Sequence, residues 1–596
     1  MLFKRFLFVG GMALFLSFSC LPVVASDHSS APLDINQWIL WLSNEYTGSH
    51  KSPDKRFTGY FPQGAAGVLY TDDIWWGGVA HDGRSPAIRV GGASYRSGVV
   101  PGWIVKEGTT EAWPQPVSPS DPRVRIYRVR RDIFTIDADS LRQDAAVTFN
   151  LPLEQITETL LDSLRRRYIK DWNEWPVDLG APFEDTDGNG HYDPRVDIPG
   201  LLGADQVIWY VVNDANPAKT LNFLGSPPLG IELQVTAWAY RWGLSQTIFR
   251  RYRLINKSGA VIDSMFFSQL AEPDLGDYSD NLSGCDSAAS LGFVYNGQAH
   301  DALFDLYSMP PPSVGYLLLQ GPAVKDDTAW GVIDFKPVYG VRNLPMTSFW
   351  LHQTGGSIPF PEFGVYEQGT LDAYAILNGY AMYWGSELIP MYKVSVKRRE
   401  ITKFMANGNP ITQQGDIDGK GNSVGPGVRY FCMNAGPFTM QPGEYQDIII
   451  ATIGALPNAM GDQYNSLAHL FRMIGTIKKA YREFLDYENT EFTKASRGSL
   501  PGGQNERPQL TAFPNPFNQS VRLHLSLPVA GFASLEIYNV SGQKVRTLFV
   551  GQVTKTNNEW VWDGKDERGR VVPSGLYFAR LQGKAHVASK KLLLVR

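Results

Sequence analysis

Cysteine is almost missing from this chain: three residues in 596, too few for a disulfide-stapled scaffold. Cys20 falls in an N-terminal apolar run. That leaves Cys285 and Cys432, which read either as one disulfide or as two buried thiols. Positive charge is not in excess. Lys and Arg total 55 against 59 Asp and Glu, for a formal net charge of -4 with no basic cluster. A nucleic-acid partner is therefore not expected. After the first 25 residues no apolar segment is long enough to span a membrane as a helix. The sequence also lacks an HExxH zinc motif, a GxSxG elbow and a Walker loop. Its nine histidines, among them His81, His300 and His352, are scattered.

What is present points to folded β-structure. Hydrophobic residues make up 43% of the chain and aromatics 12%, a composition of packed cores rather than disorder. A chain of this length buries several cores, so two to four domains are expected. The N-terminus has the layout of a signal peptide over 1–25: Lys4 and Arg5, the apolar run 6–21, then Val23-Val-Ala25. Lipoprotein processing at Cys20 is the rival, but bulky Phe18 lies close to the cysteine and favours cleavage near Ala25.

Four expected segments follow the leader. Residues 27–150 carry short apolar runs broken by glycine and form a β-rich region. Residues 151–494 form a β-rich body with helices near 151–172 and 463–487 and an acidic loop at 184–197. The first helix rests on Leu153, Ile156, Leu160, Leu161 and Leu164 at helical spacing. The second rests on Leu467, Leu470, Ile474, Ile477, Tyr481 and Leu485. Strands are expected at 207–212, 231–238, 247–255, 262–267 and 445–452. Residues 495–508, with Gly498, Pro501, Gly502 and Gly503, read as a linker. Residues 509–596 read as about seven short strands with regular turn signals, an Ig-like sandwich. In its first long strand Val521, Leu523, Leu525 and Leu527 alternate onto one face.

That last segment carries a resemblance. Phe513-Pro-Asn-Pro-Phe-Asn518, Ile537-Tyr-Asn-Val-Ser-Gly-Gln543, Trp562-Asp-Gly564, Ser574-Gly-Leu-Tyr-Phe578 and Lys590-Lys-Leu-Leu-Leu594 occur in order. Together they resemble the C-terminal sorting domain of type IX secretion substrates and, equally, the FlgD-like Ig module. The resemblance implies export through the periplasm and across an outer membrane, with the type IX machinery as partner. The body is similar to a group of large exported proteins carrying the same module. The residues are Leu69-Tyr-Thr-Asp-Asp-Ile-Trp-Trp-Gly-Gly78, Trp175-Pro-Val-Asp-Leu-Gly-Ala-Pro182, Pro273-Asp-Leu-Gly-Asp277, Gly284-Cys-Asp286 and Ala435-Gly-Pro-Phe-Thr-Met440. This second resemblance implies one family unit but no activity.

The strongest local motif is Asp185-Thr-Asp-Gly-Asn-Gly-His-Tyr-Asp193, followed by Asp197. Calcium takes several oxygen ligands from a tight loop with alternate side chains turned inward. Asp185, Asp187 and Asn189 fall at positions one, three and five, and Gly190 at six, where the sharp turn needs glycine. The carbonyl of His191 falls at seven and Asp193 at nine. Position twelve is Val196 rather than a bidentate Glu, and Asp197 comes one residue late. The pattern therefore suits a structural calcium loop of an extracellular module. A second acidic group, Asp274, Asp277, Asp280 and Asp286, gathers four carboxylates that repel one another unless a cation or donors sit among them. Asp416-Ile-Asp-Gly-Lys-Gly421 opens like a calcium loop, but Lys420 stands at a ligand position.

Sixteen tryptophans invite a surface-glycan or polysaccharide partner, with Trp75, Trp76, Trp103, Trp238, Trp242 and Trp384 as candidates. The reading that follows is a mainly β, multidomain, secreted or surface-attached protein. Its β-sandwich-type body has a few helices, is stabilised by calcium, and acts by binding or as a structural component. An extracellular hydrolase acting on polysaccharide or protein is the alternative. No residue is assigned a catalytic role.

Overall fold

The computed structural model describes residues 29–50, 52–53, 56–201, 203–356, 358–395, 399–421, 424–457, 461–495, 509–513, 515, 517–526, 531–540, 543–553, 558–583 and 587–595. The leader expected over 1–25 and, apart from Ala495, the linker expected over 495–508 lie outside these residues.

Two large antiparallel sheets dominate the body, beside a four-stranded sheet of Ser30–Leu33, Ile39–Ser43, Gly59–Tyr60 and Gly67–Leu69. The larger runs through Tyr127–Arg130, Gln206–Asn213, Ile231–Ala239, Thr247–Asn256, Tyr445–Ala455, Ser313–Gln320, Leu291–Asn296 and Asn281–Asp286, with Val100–Pro101 pairing beside 206–213. The smaller runs through Ser348–Gln353, Arg429–Met440, Ile262–Glu272, Thr71–Ala80 and Ile88–Gly92. Period-two alternation decides how they stack. In strand 206–213, Ile208, Tyr210 and Val212 join the core between the sheets, while Val207, Trp209 and Val211 join a second core on the outer face. Strand 445–455 divides in the same way, Ile448 and Ile450 inward, Ile449, Ala451 and Ile453 outward. With both faces covered, such strands read as continuous apolar runs.

Helices cover the outer face. In Glu158–Asn173 the buried residues are Leu161, Leu164, Tyr168 and Trp172, a single stripe at helical spacing. The helix expected from 151 starts at 158. The Thr157 side chain accepts from Leu160 N and caps it there, and 153–155 form a separate 3-10 turn after Pro152. The helix expected over 463–487 extends over Gln463–Ala495 and packs Leu467, Leu470, Ile477 and Tyr481 on the same core.

Residues 27–150 are not a separate region, because strand 71–80 sits inside the smaller sheet, paired with 262–272 on one side and 88–92 on the other. They also hold a helix, Ala138–Phe149, whose N-cap, Asp137, accepts from Ser140 N. Cys285 and Cys432 are both buried free thiols.

The C-terminal module has a three-stranded sheet, Gln509–Phe513, Val521–Ser526 and Asn558–Trp562. It faces a four-stranded sheet of Lys544–Val553, Gly531–Asn539, Gly575–Gly583 and Val587–Leu594. Val521, Leu523, Leu525, Leu535, Ile537 and Trp562 are fully buried between them. The module is an Ig-like β-sandwich.

Candidate metal centre

The loop 185–197 is closed at its base by a short ladder, Phe183↔Pro199 and Glu184↔Ile198. It leans on helix 158–173. Tyr192 donates to the Trp172 carbonyl at 2.7 Å, and Trp172 Nε1 donates to the Pro194 carbonyl at 2.9 Å. Within this frame the chain turns tightly through Gly188 (φ 74°) and Gly190 (φ 76°), left-handed positions that favour glycine. The turn aims backbone N–H groups at Asp185: Gly188 and Gly190 donate at 2.8 Å each and Asn189 at 3.1 Å. Asn189 also donates to Asp187 from its side chain at 2.8 Å. Asp197, 1% exposed, accepts from Thr186 N and Asp193 N at 2.8 Å each.

The result is a group of three carboxylates. Asp185, Asp187 and Asp197 each place an oxygen within 4.8 Å of the others. No arginine or lysine is ion-paired with any of them among the described residues. Three negative groups at this separation, without a counter-charge, form a donor set for a hard cation. Asp193 does not join it. Its carboxylate turns to Arg195, with contacts of 3.0 and 2.8 Å, and those bonds hold its pKa below the usual carboxylate value. Asp197 takes its place because the base ladder brings residue 197 back over the start of the loop. The Asn189 side-chain oxygen accepts from His191 N at 2.6 Å.

The second acidic group does not converge. Strand 281–286 carries Asp286 to the end opposite Asp280, roughly 20 Å away at about 3.3 Å per residue. There it accepts from Ala289 N at 3.0 Å. Asp277 accepts from Ser279 N, while Asp280 lies beside Asp301, whose charge adds to burial in lifting the Asp280 pKa to about 7. Asp274 stands apart, buried beside Glu272. The third motif is a hydrogen-bond hub. Asp416 accepts from the N–H groups of Val394, Ser395 and Ala406, and Asp418 is ion-paired with fully buried Arg429 at 2.6 Å.

Of the aromatic candidates, Trp75, Trp76 and Trp238 are core residues, and Trp103 lies under the Arg123 guanidinium at 4.7 Å. Trp242 and Trp384 are 78% and 72% exposed. The sequence reading missed Trp330, 68% exposed. It packs against Tyr339 at 5.3 Å on the hairpin formed by Ala323–Ile333 and Lys336–Asn343. His81 and His300 are exposed, and His352 is half-buried.

Residues 517–585 match the FlgD Ig-like domain family. The match lies within the C-terminal sandwich described above. No curated protein matches the sequence. Among solved structures, a polysaccharide lyase aligns at 9% identity over 61% of this chain and 34% of its own, with a TM-score of 0.16. Dimeric latent PorU from Porphyromonas gingivalis aligns at 9% identity over 65% and 31%, with a TM-score of 0.14. PorZ, a surface component of the type IX secretion system of the same organism, aligns at 11% over 67% and 45%, with a TM-score of 0.12. The chain thus spans less than half the length of each, and overlaps this low carry no argument about it. No helix among the described residues is long and apolar enough to cross a membrane.

Proposed function

We propose that this chain is an exported protein, secreted or held at the cell surface, and that its C-terminal Ig-like module is a sorting domain for type IX secretion. The FlgD Ig-like match over 517–585 carries this reading. The body acts by binding or as a structural component. Trp242, Trp330 and Trp384 offer it aromatic faces in solvent, suited to stacking on surface glycans. Calcium at Asp185, Asp187 and Asp197 holds the 185–197 loop in place; this part of the reading draws on the convergence of the three carboxylates. The intact mass of the protein recovered from the cell surface and medium tests the export reading. Loss of about the first 25 and last 88 residues supports a cleaved sorting signal, while a mass retaining the module argues for a lasting structural domain.

A further inference from the structure

Buried carboxylates in this body are compensated in one of two ways. Some meet an arginine: Asp72 with Arg250 at 2.5 Å, Asp82 with Arg89 at 2.7 Å, Asp144 with Arg130 at 2.7 Å. Others collect backbone N–H groups, as Asp214 does from Leu229, Gly230 and Ile231. Glu272 and Asp274 have neither among the described residues, although they are only 5% and 6% exposed. Asp274 Oδ1 is buried with no hydrogen-bond partner among the described residues. Glu272 is bonded to the hydroxyls of Tyr95 and Tyr430, which are also bonded to each other.

The smaller sheet sets this arrangement. His352 pairs with Tyr430, the register Ala271↔Phe431 puts Glu272 next to Tyr430, and Glu272 pairs with Thr71. Residues paired in this way share a face. The face is the one turned away from the core between the sheets. An aromatic rim surrounds the two acids. Tyr430 lies 5.4 Å from His352, 5.7 Å from Phe360 and 5.9 Å from Tyr95, and Tyr95 lies 6.1 Å from Tyr70. Tyr70 and Tyr95 reach solvent, at 42% and 36% exposure. His352 Nδ1 donates to the Ile358 carbonyl at 2.9 Å, so its Nε2 is left as an acceptor in the neutral ring.

We propose that Glu272, Asp274 and the rim of Tyr95, Tyr430, His352 and Phe360 form a binding site for the ammonium group of a lysine side chain on a partner protein. Two carboxylates without a counter-charge supply the negative potential, and the rings supply cation–π faces along the way in. An aromatic rim does not suit a hard metal ion, which takes oxygen ligands all round. With both acids only 5% and 6% exposed, a slim four-carbon stem suits them better than an amine fixed directly on a sugar ring. This assignment is independent of the export reading.

Proton competition gives the site a signature. Burial, and then the charge of Asp274, lift the Glu272 pKa to about 8, and burial lifts that of Asp274 to about 7. The groups facing the site are these two acids, Tyr95, Tyr430 and His352. Arg429, next along the strand, is engaged by Asp418 and the Gly425 carbonyl. Burial keeps the His352 pKa below its ordinary value, which works against a positive charge on the ring. Ligand binding should therefore strengthen as pH rises from 6 to 8.5 while the lysine ammonium stays charged.

Isothermal titration of the full chain with Nα-acetyl-lysine amide tests this. The expected result is binding at least about tenfold tighter at pH 8.5 than at pH 6. The neutral norleucine analogue and glucosamine should both bind at least about tenfold more weakly than the lysine ligand. Glu272→Gln and Asp274→Asn should each reduce affinity at least about tenfold without lowering the melting temperature at pH 8.5, since each removes a buried charge. Tyr95→Phe should keep the fold and weaken binding less. No heat at pH 8.5, equal binding of norleucine, tightening towards low pH, or unchanged affinity in Glu272→Gln would each overturn the proposal. Glucosamine binding as tightly as the lysine ligand would overturn the lysine assignment.

Discussion

Asp72 and Asp187 are both aspartates on a β-protein body, and they solve the same electrostatic problem in opposite ways. Asp72 is fully buried between the two sheets. Burial pushes its pKa up, but the charge and hydrogen bonds of Arg250, with Ser49 and Tyr316, outweigh burial and leave it below the ordinary value. Asp187 is exposed, with Asp185 beside it and Asp197 beneath, and no arginine or lysine pairs with any of the three among the described residues. Where the chain supplies its own positive charge, the acids are structural. At 185–197 and at Glu272 and Asp274 no arginine or lysine pairs with the acids among the described residues, which leaves room for a cation from outside.

The comparison breaks first if Asp72 and Arg250 are separated. Arg250→Met leaves a carboxylate buried without its partner and should cost about 3–5 kcal/mol. Asp72→Asn combined with Arg250→Met should cost less than the sum of the singles, because neither charge is then stranded. Denaturant unfolding of the three variants measures this.

A pH series sharpens the other side. The raised pKa values of Glu272 and Asp274 mean that the folded state holds more protons than the unfolded state between about pH 4 and pH 8. Stability contributed by the protonated pair is full below that window and is lost as pH rises through it. Glu272→Gln with Asp274→Asn should flatten the profile, recovering on the order of 3 kcal/mol at pH 8.5. An unchanged slope would mean that the pair is compensated within the chain after all.

Calcium gives a smaller effect. At 100 times its dissociation constant an ion adds about 2.7 kcal/mol. Asp185→Ala with Asp187→Ala should therefore lower the melting temperature in calcium and leave it nearly unchanged in chelator. Equal shifts in both conditions would make the loop an ordinary acidic turn. Smallest is Gly190→Ala. A Cβ there meets nothing within 4 Å, so only the left-handed backbone resists it, at about 1 kcal/mol. Thermal melts in calcium measure that loss.

Local signals were legible in the sequence and long-range ones were not. The helical stripe through Leu161 and Leu164 gave the helix, but its start was misread because the Thr157 cap competes with periodicity that runs on from Leu153. The seven-strand module was legible from alternation and turns, though strand 544–553 was not picked out, since its intermediate burial leaves little alternation. The loop pattern gave Asp185 and Asp187 at once. That Asp197 rather than Asp193 completes the group depends on Arg195 and on the 183–184/198–199 ladder, which spacing alone does not resolve. Asp286 was misplaced because a strand spreads its residues where a loop would gather them. The site at Glu272 was out of reach: Tyr95 lies 177 positions from Glu272 and 335 from Tyr430, and only sheet register brings them together.

Asp185, Asp187 and Asp197 accept hydrogen bonds from their own loop but meet no arginine or lysine among the described residues, so calcium is the counter-charge proposed for them. Calorimetric titration of the full-length protein with calcium tests it most directly. One saturable site per chain is expected, abolished by Asp185→Ala with Asp187→Ala and untouched by Asp416→Ala. Absence of binding, or a site that survives loss of Asp185 and Asp187, would contradict it.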